Sequence, residues 1–191
     1  MSTDLSNSSN QSIEELLRSF SNASQTKRRG LISSVEARSQ ELFSLGPSAL
    51  IGFDPEGDDW AAGWVLQVLQ RNHPEALSSI LKSDSSGWFS APSLIGIDYG
   101  LLQNYLLNER FEEADRFTSS ALRQLAGSAA EIRGYVYFSE VESMSGVDLV
   151  NLDRLWKAYS QGKFGFSVQA RILNSLGGRY ERLWPRIGWK N

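Results

Sequence analysis

Apolar residues recur three and four positions apart along most of this chain, and only one short run, Gly134-Tyr-Val-Tyr-Phe138, reads as β-like. That pattern confines the fold to packed helices. Ile13, Leu16, Leu17 and Phe20 form the first apolar stripe. Leu31, Ile32 and Val35, then Leu42 and Phe43, predict further helix, broken at Gly46-Pro47. After an acidic turn at 54–59, in which Asp58 or Asp59 can cap, a helix over 60–70 places Trp64, Val65, Val68 and Leu69 on one face. Pro74 starts a short helix through Ala76, Leu77, Ile80 and Leu81.

The segment 82–97 reads as a linker followed by a turn and marks a boundary. Residues 1–12 are Ser- and Asn-rich and are expected to be a disordered tail. Residues 13–86 are then a small helical bundle and 87–191 a second unit. In that unit Tyr99 to Leu106 predicts one helix and Phe111 to Leu125 a longer one ending at Gly127. Ser139-Glu-Val-Glu142 has capping-box form. The clearest helix covers 148–160, capped by Asp148 or Asn151, with Leu149, Leu152, Leu155, Trp156 and Tyr159 on its apolar face. A turn at 161–165 precedes a helix over 166–176, with Val168, Ile172, Leu173 and Leu176 facing inward, and a last short helix ends at Pro185.

Composition removes many chemistries. There is no Cys, which excludes disulfides, thiolate metal sites and Cys nucleophiles, and one His, His73, which excludes multi-His metal centres. His73 precedes a proline in a loop and has no sequence-evident partner, so it reads as a surface or structural residue. Glu112, Glu113 and Asp115 read as solvated partners of a helix dipole. Asp54, Glu56, Asp58 and Asp59 lack the twelfth-position Glu of a calcium loop, where Val65 stands. No phosphate-binding Gly motif occurs. No apolar run approaches the ~20 residues of a membrane span, and no secretory or transit signal opens the chain. The expectation is a soluble, cytoplasmic protein.

Charge and aromatics are unevenly distributed. Residues 150–191 carry a net +6 and residues 1–149 a net −9. A basic end on an acidic body suits an anionic ligand, a membrane surface or an acidic partner, or is simply a solvated helix pair. The acidic total argues against nucleic acid. Sixteen of the 21 aromatic residues lie after residue 86. In Gly162-Lys-Phe-Gly-Phe-Ser-Val-Gln169, Phe164 and Phe166 cannot share one helical stripe. They are either a core plug fixing an inter-helix angle or an aromatic wall for a flat apolar ligand.

That octapeptide, with Ile97-Asp-Tyr, Phe111-Glu-Glu-Ala-Asp115, Leu125-Ala-Gly127, Tyr137-Phe138, Glu140-Val141, Asp148-Leu149, Leu155-Trp156, Tyr159-Ser160 and Trp184-Pro-Arg-Ile-Gly-Trp189, resembles the genomes-uncoupled type tetrapyrrole-binding regulators of magnesium chelatase. The resemblance runs from Ile97 to the C-terminus. It implies an all-α fold: a small N-terminal helical bundle before a cupped helical core, as in cyanobacterial members. It implies binding of protoporphyrin IX or Mg-protoporphyrin IX as ligand, with no cofactor required and no catalysis. The implied partner is the large porphyrin-binding subunit of magnesium chelatase, with peripheral thylakoid association as a further expectation. It maps the binding surface onto Phe138 and Val141. Phe164 and Phe166 are added as aromatic contacts and Arg186 as a substitute cation, because the core is expected to lack the family's further aromatic and Arg-bearing C-terminal segment. With no Cys and His73 outside the core, water is the expected axial ligand of a metalloporphyrin. The alternative function is a helical protein-interaction module that has lost porphyrin binding.

Overall fold

A computed structural model describes residues 11–81 and 87–186, without the side chains of Trp184 and Arg186. Residues 1–10 of the tail expected over 1–12, the start of the linker at 82–86 and the motif residues 187–189 lie outside the described residues, while Ser12 is the N-cap of the first helix. Among the described residues there is no strand, and the fold is all-α as expected.

Each helix begins where local chemistry supplies an end. In α1 (Ile13–Asn22) the Ser12 hydroxyl accepts from Glu15 N at 3.2 Å while the Glu15 carboxylate accepts from Ser12 N at 3.2 Å. Its buried stripe is the Ile13, Leu16, Leu17, Phe20 set. Then come α2 (Gln25–Ala37), α3 (Ser39–Leu45) and a 3-10 helix at Gly46–Leu50 that opens on Pro47. Helix α4 (Trp60–Asn72) starts at Asp59, whose Oδ1 accepts from Ala61 N at 2.9 Å. Asp59 also pairs at 2.5 Å with the buried Arg28 guanidinium, which donates to Phe20 O at 2.9 Å and lies 5.1 Å from the Trp60 ring. Each of the three guanidinium nitrogens has a partner, Nη2 donating to Ser21 O, so its burial is tolerated. Pro74 opens α5 (Pro74–Ile80).

Helix α4 is the centre of the molecule. All ten residues from Trp60 to Leu69 are buried, so it has no solvent face over that length. On one side it meets α2, α3 and α5. On the other it meets α6 (Tyr99–Leu107) and α9 (Gly146–Tyr159), which belong to the second half of the sequence. Gly63 permits the approach to α9: a Cβ there would lie 2.0 Å from Ala158 O. Gln67 Nε2 donates to Leu106 O at 3.1 Å and to Tyr159 O at 2.9 Å, so one buried amide ties the C-terminal ends of α6 and α9 together. A single hydrophobic core therefore runs from Ile13 to Tyr159 across the segment at 82–86.

The second half continues with α7 (Phe111–Ala126), α8 (Ser128–Arg133), a 3-10 helix at Phe138–Ser143, α9, α10 (Phe166–Ser175) and α11 (Tyr180–Arg186). Several local expectations need correction. The run 134–138 is not a strand. Among the described residues there is no strand for it to pair with, and its Tyr135 and Tyr137 rings pack 4.8 and 4.0 Å from the Arg133 guanidinium. The capping-box signal was real but displaced. Glu140, not Glu142, reaches back, accepting from Tyr137 N at 2.7 Å, and the helix it opens is 3-10. Helix α9 is capped by Ser145, because Asp148 is fully buried and engaged elsewhere. In α10 only Val168 is buried. Pro185 lies inside α11, within its last turn, rather than after it. Helix α8, short and Ala-rich, was not anticipated.

Candidate ligand-binding groove

Four elements of the second half enclose an open groove of about 730 Å³. Helix α7 contributes Leu122, and the segment between α8 and α9 contributes Val136, Tyr137, Phe138, Val141 and Met144. Helix α9 adds Leu149, Val150 and Asp153, and the first turn of α10 adds Phe166 and Ser167. Nearly all of this lining is carbon. Phe138 is 93% exposed at the rim, and Val150 is 56%, Val141 42% and Phe166 37% exposed. Isolated exposed apolar residues are ordinary, but four converging on one concavity make it the candidate binding surface.

The rim is built rather than loose. Gly134 ends α8 in the left-handed region (φ 88°), turning the chain back across the groove. Arg133 Nη2 donates to Tyr135 O at 2.9 Å and to Glu140 Oε2 at 2.6 Å while its guanidinium covers both tyrosines. The Tyr137 backbone N–H and then Arg133 hold the Glu140 carboxyl below the usual carboxylate range. With the backbone fixed this way, Phe138 is presented to solvent, and none of the described residues covers it.

The opposite wall depends on Gly165. Its φ of 136° with ψ of 155° is a glycine-only conformation, and a Cβ there would lie 2.7 Å from Asp153 Oδ1 and 3.1 Å from Lys157 Cγ. The close approach lets Asp153 Oδ1 accept from Ser167 N at 2.9 Å, capping α10 against α9. Gly165→Ala is expected to destabilise the fold by about 1–3 kcal/mol, read as a lowered denaturant midpoint. An unchanged midpoint would show that this wall does not depend on the close approach.

The structure separates the anticipated site residues into groups. Phe138, Val141 and Phe166 line the groove together. Phe164 points to a different neighbourhood, with its ring centroid 5.9 Å from Phe111 and 6.0 Å from Trp156. Phe166 lies in the groove lining, whereas Phe164, 47% exposed, packs edge-on against Phe111 and Trp156 at the surface rather than plugging the core. Arg186 ends α11, and its side chain lies outside the described residues. His73 stacks on Phe43 at 4.9 Å, remote from the groove lining. The acidic turn is consumed locally: Asp54 accepts from Glu56 N at 2.9 Å, Asp58 pairs with Lys157 and Asp59 with Arg28. Glu112 and Glu113 form surface pairs with Arg116 and Arg110. Among the described residues no cluster of His, Cys, Asp and Glu could hold a metal ion, and no helix is long and apolar enough to cross a membrane. Sequence reasoning missed Leu122, Val136, Met144 and Val150. For Val150 a signal existed, since Val147 and Val150 are apolar yet lie off the main stripe of α9.

The sequence profile of the GUN4-like family matches residues 92–191, more than half of the chain. The protein belongs to the GUN4-like family. Over 132 residues it is 41% identical to a Ycf53-like protein of Synechocystis sp., covering 69% of this chain and 57% of that protein. Over 91 residues it is 41% identical to a chloroplastic tetrapyrrole-binding protein of Arabidopsis thaliana, covering 48% and 34% respectively. The solved structure of GUN4 from Chlamydomonas reinhardtii is 41% identical and aligns with a TM-score of 0.52 over 53% of this chain and 72% of that one. The chain spans between about a third and somewhat over half of these two curated relatives' lengths. The whole groove, from Leu122 to Ser167, lies within the part matched by the GUN4-like profile.

Proposed function

We propose that the groove of this GUN4-like protein binds one face of protoporphyrin IX or Mg-protoporphyrin IX. The observation that carries the reading is Phe138, a phenyl ring almost wholly in water at the edge of an apolar concavity. A flat macrocycle laid against that surface buries carbon on both sides, which at about 25 cal/mol per Å² favours binding by several kcal/mol before ordering costs. The name of the Arabidopsis relative, a tetrapyrrole-binding protein, supports the same ligand class. Phe138, Val141 and Phe166 contact the ring, Phe164 braces the wall through Trp156, and Arg186 meets a propionate. No cofactor is required.

The protein is a carrier and regulator rather than a catalyst in this reading. The one carboxylate of the lining, Asp153, is already engaged by Ser167 N and, at 3.5 Å, by Lys157. It stimulates magnesium chelatase by presenting porphyrin to the large porphyrin-binding subunit, in the cytoplasm and with peripheral contact at the thylakoid surface. Rate measurements on the chelatase with and without this protein test that part.

Binding is tested by titrating the full chain with deuteroporphyrin IX and following tryptophan quenching. Saturable quenching is expected. Phe138→Ala is expected to weaken it at least tenfold, with an unchanged melting temperature because the ring supports nothing in the fold. Absence of saturable quenching by folded protein would assign the groove to a protein partner.

A further inference from the structure

A second, smaller cleft of about 280 Å³ lies where the N-terminal helices meet the second half. Arg29 from α2, Lys157 from α9 and Arg171 from α10 line it, opposed by the single carboxylate of Asp58, and Trp60 and Gln25 close its side with an Nε1–Oε1 hydrogen bond of 2.6 Å. Lys157 is neutralised, paired with Asp58 and 3.5 Å from Asp153. Arg29 and Arg171 are both exposed, and neither has an ion-pair or hydrogen-bond partner among the described residues. The cleft therefore has unmatched positive charge in the form of two planar guanidinium groups, the geometry that pairs with a carboxylate through two parallel hydrogen bonds.

Its position gives that charge a use. Ser167 lines both this cleft and the apolar groove. Along α9, Val150 and Asp153 face the groove and Lys157 faces the cleft, roughly 10 Å further along the axis from Val150. Along α10, Phe166 faces the groove and Arg171 the cleft. The apolar groove and the cationic recess thus adjoin at Ser167, which suits a ligand with an oily ring and an acidic arm. A carboxylate delivered from the groove is favoured over a free anion because the recess is small and opens beside the trough.

Resting on the groove reading above, we infer that Arg29 and Arg171 form a carboxylate subsite that receives a propionate of the tetrapyrrole held in the groove. The N-terminal layer then takes part in ligand recognition through Arg29, a residue outside the part matched by the GUN4-like profile.

The test uses the full chain and two probes: deuteroporphyrin IX, and its diol analogue in which both carboxylates are reduced to alcohols. The double variant Arg29→Gln, Arg171→Gln is expected to bind the dicarboxylate about tenfold more weakly and the diol as wild type does. Arg171→Glu should weaken the dicarboxylate further. Melting temperatures of all variants should match wild type, since both side chains lie on the surface. Equal affinity of the double variant and wild type for the dicarboxylate would overturn the subsite while leaving the groove intact. Failure of wild type to bind either probe would overturn the groove reading itself. A third arm measures thermal stabilisation by inorganic phosphate. Arg-dependent stabilisation by phosphate, with dicarboxylate affinity unchanged in the double variant, would show a free-anion site and overturn the propionate assignment.

Discussion

Replacing Gly63 with alanine is expected to lower the unfolding free energy by about 3 kcal/mol, although alanine is the better helix former by about 1 kcal/mol. The two effects have opposite signs, so the experiment discriminates. In an isolated helix the added methyl would stabilise. Here it would lie 2.0 Å from Ala158 O and 2.7 Å from the carbonyl carbon of the same residue, inside the packed contact of α4 and α9. Those atoms are backbone and cannot rotate aside. Relief requires the helices to separate, which opens voids around Val65, Leu66 and Leu155, all buried at present. Gly63→Leu should not yield a folded protein. Denaturant titration of the alanine variant is the measurement, and a midpoint at or above that of wild type would refute the contact.

Removing the Asp148 side chain should be comparably damaging for an electrostatic reason. Asp148 is fully buried. Its Oδ1 accepts from the Tyr99 hydroxyl at 2.9 Å and its Oδ2 from Leu94 N at 3.2 Å. Burial pushes the carboxyl up, but hydrogen bonds involving Ser145, Ser93, Tyr99 and Leu94 outweigh it and hold the group below the ordinary carboxylate range. Burial and the neighbouring Asp148 together push the Tyr99 hydroxyl up, so it remains a proton donor. Asp148→Ala strands those donors out of water, at a cost of about 3 kcal/mol. The pH dependence follows from the direction of the shift. A carboxyl depressed in the folded state contributes its full stability above its unfolded value, near 3.9, and loses it as pH falls through the lower folded value. Wild type should therefore lose stability on acidification below about pH 4 more steeply than Asp148→Asn does. Parallel pH profiles for the two proteins would contradict the network.

A helix whose apolar stripe faces one direction was readable from the sequence, as in α1. Helix α4 starts at the expected Asp59 cap but is buried all round from Trp60 to Leu69, and not only on the face of Trp64, Val65, Val68 and Leu69. The difficulties arose where a residue type serves a purpose its average propensity does not describe. Tyr135, Val136 and Tyr137 have strand-forming side chains, yet the segment is arranged by Arg133 and Glu140. Asp148 looks like a helix cap but is a buried acceptor for a hydroxyl 49 residues away, a pairing no local pattern records. The groove was legible in part. Phe138 and Val141 came through resemblance and Phe166 through an unusual motif. Periodicity placed Leu122 on the core face of its helix, where it is partly buried and also lines the groove, and gave Val150, off the main stripe of α9, no role.

The engulfed central helix has a mechanical corollary. With α4 gripped by α2, α3 and α5 on one flank and by α6 and α9 on the other, it works as a keystone with no slack in its seating. Force applied to the first three helices by a docking partner would pass through the Gly63–Ala158 joint into α9, and from there to Leu149 and Val150 in the lining of the groove. Grasping the molecule at its front end would in this way tug on the floor of the trough at its back.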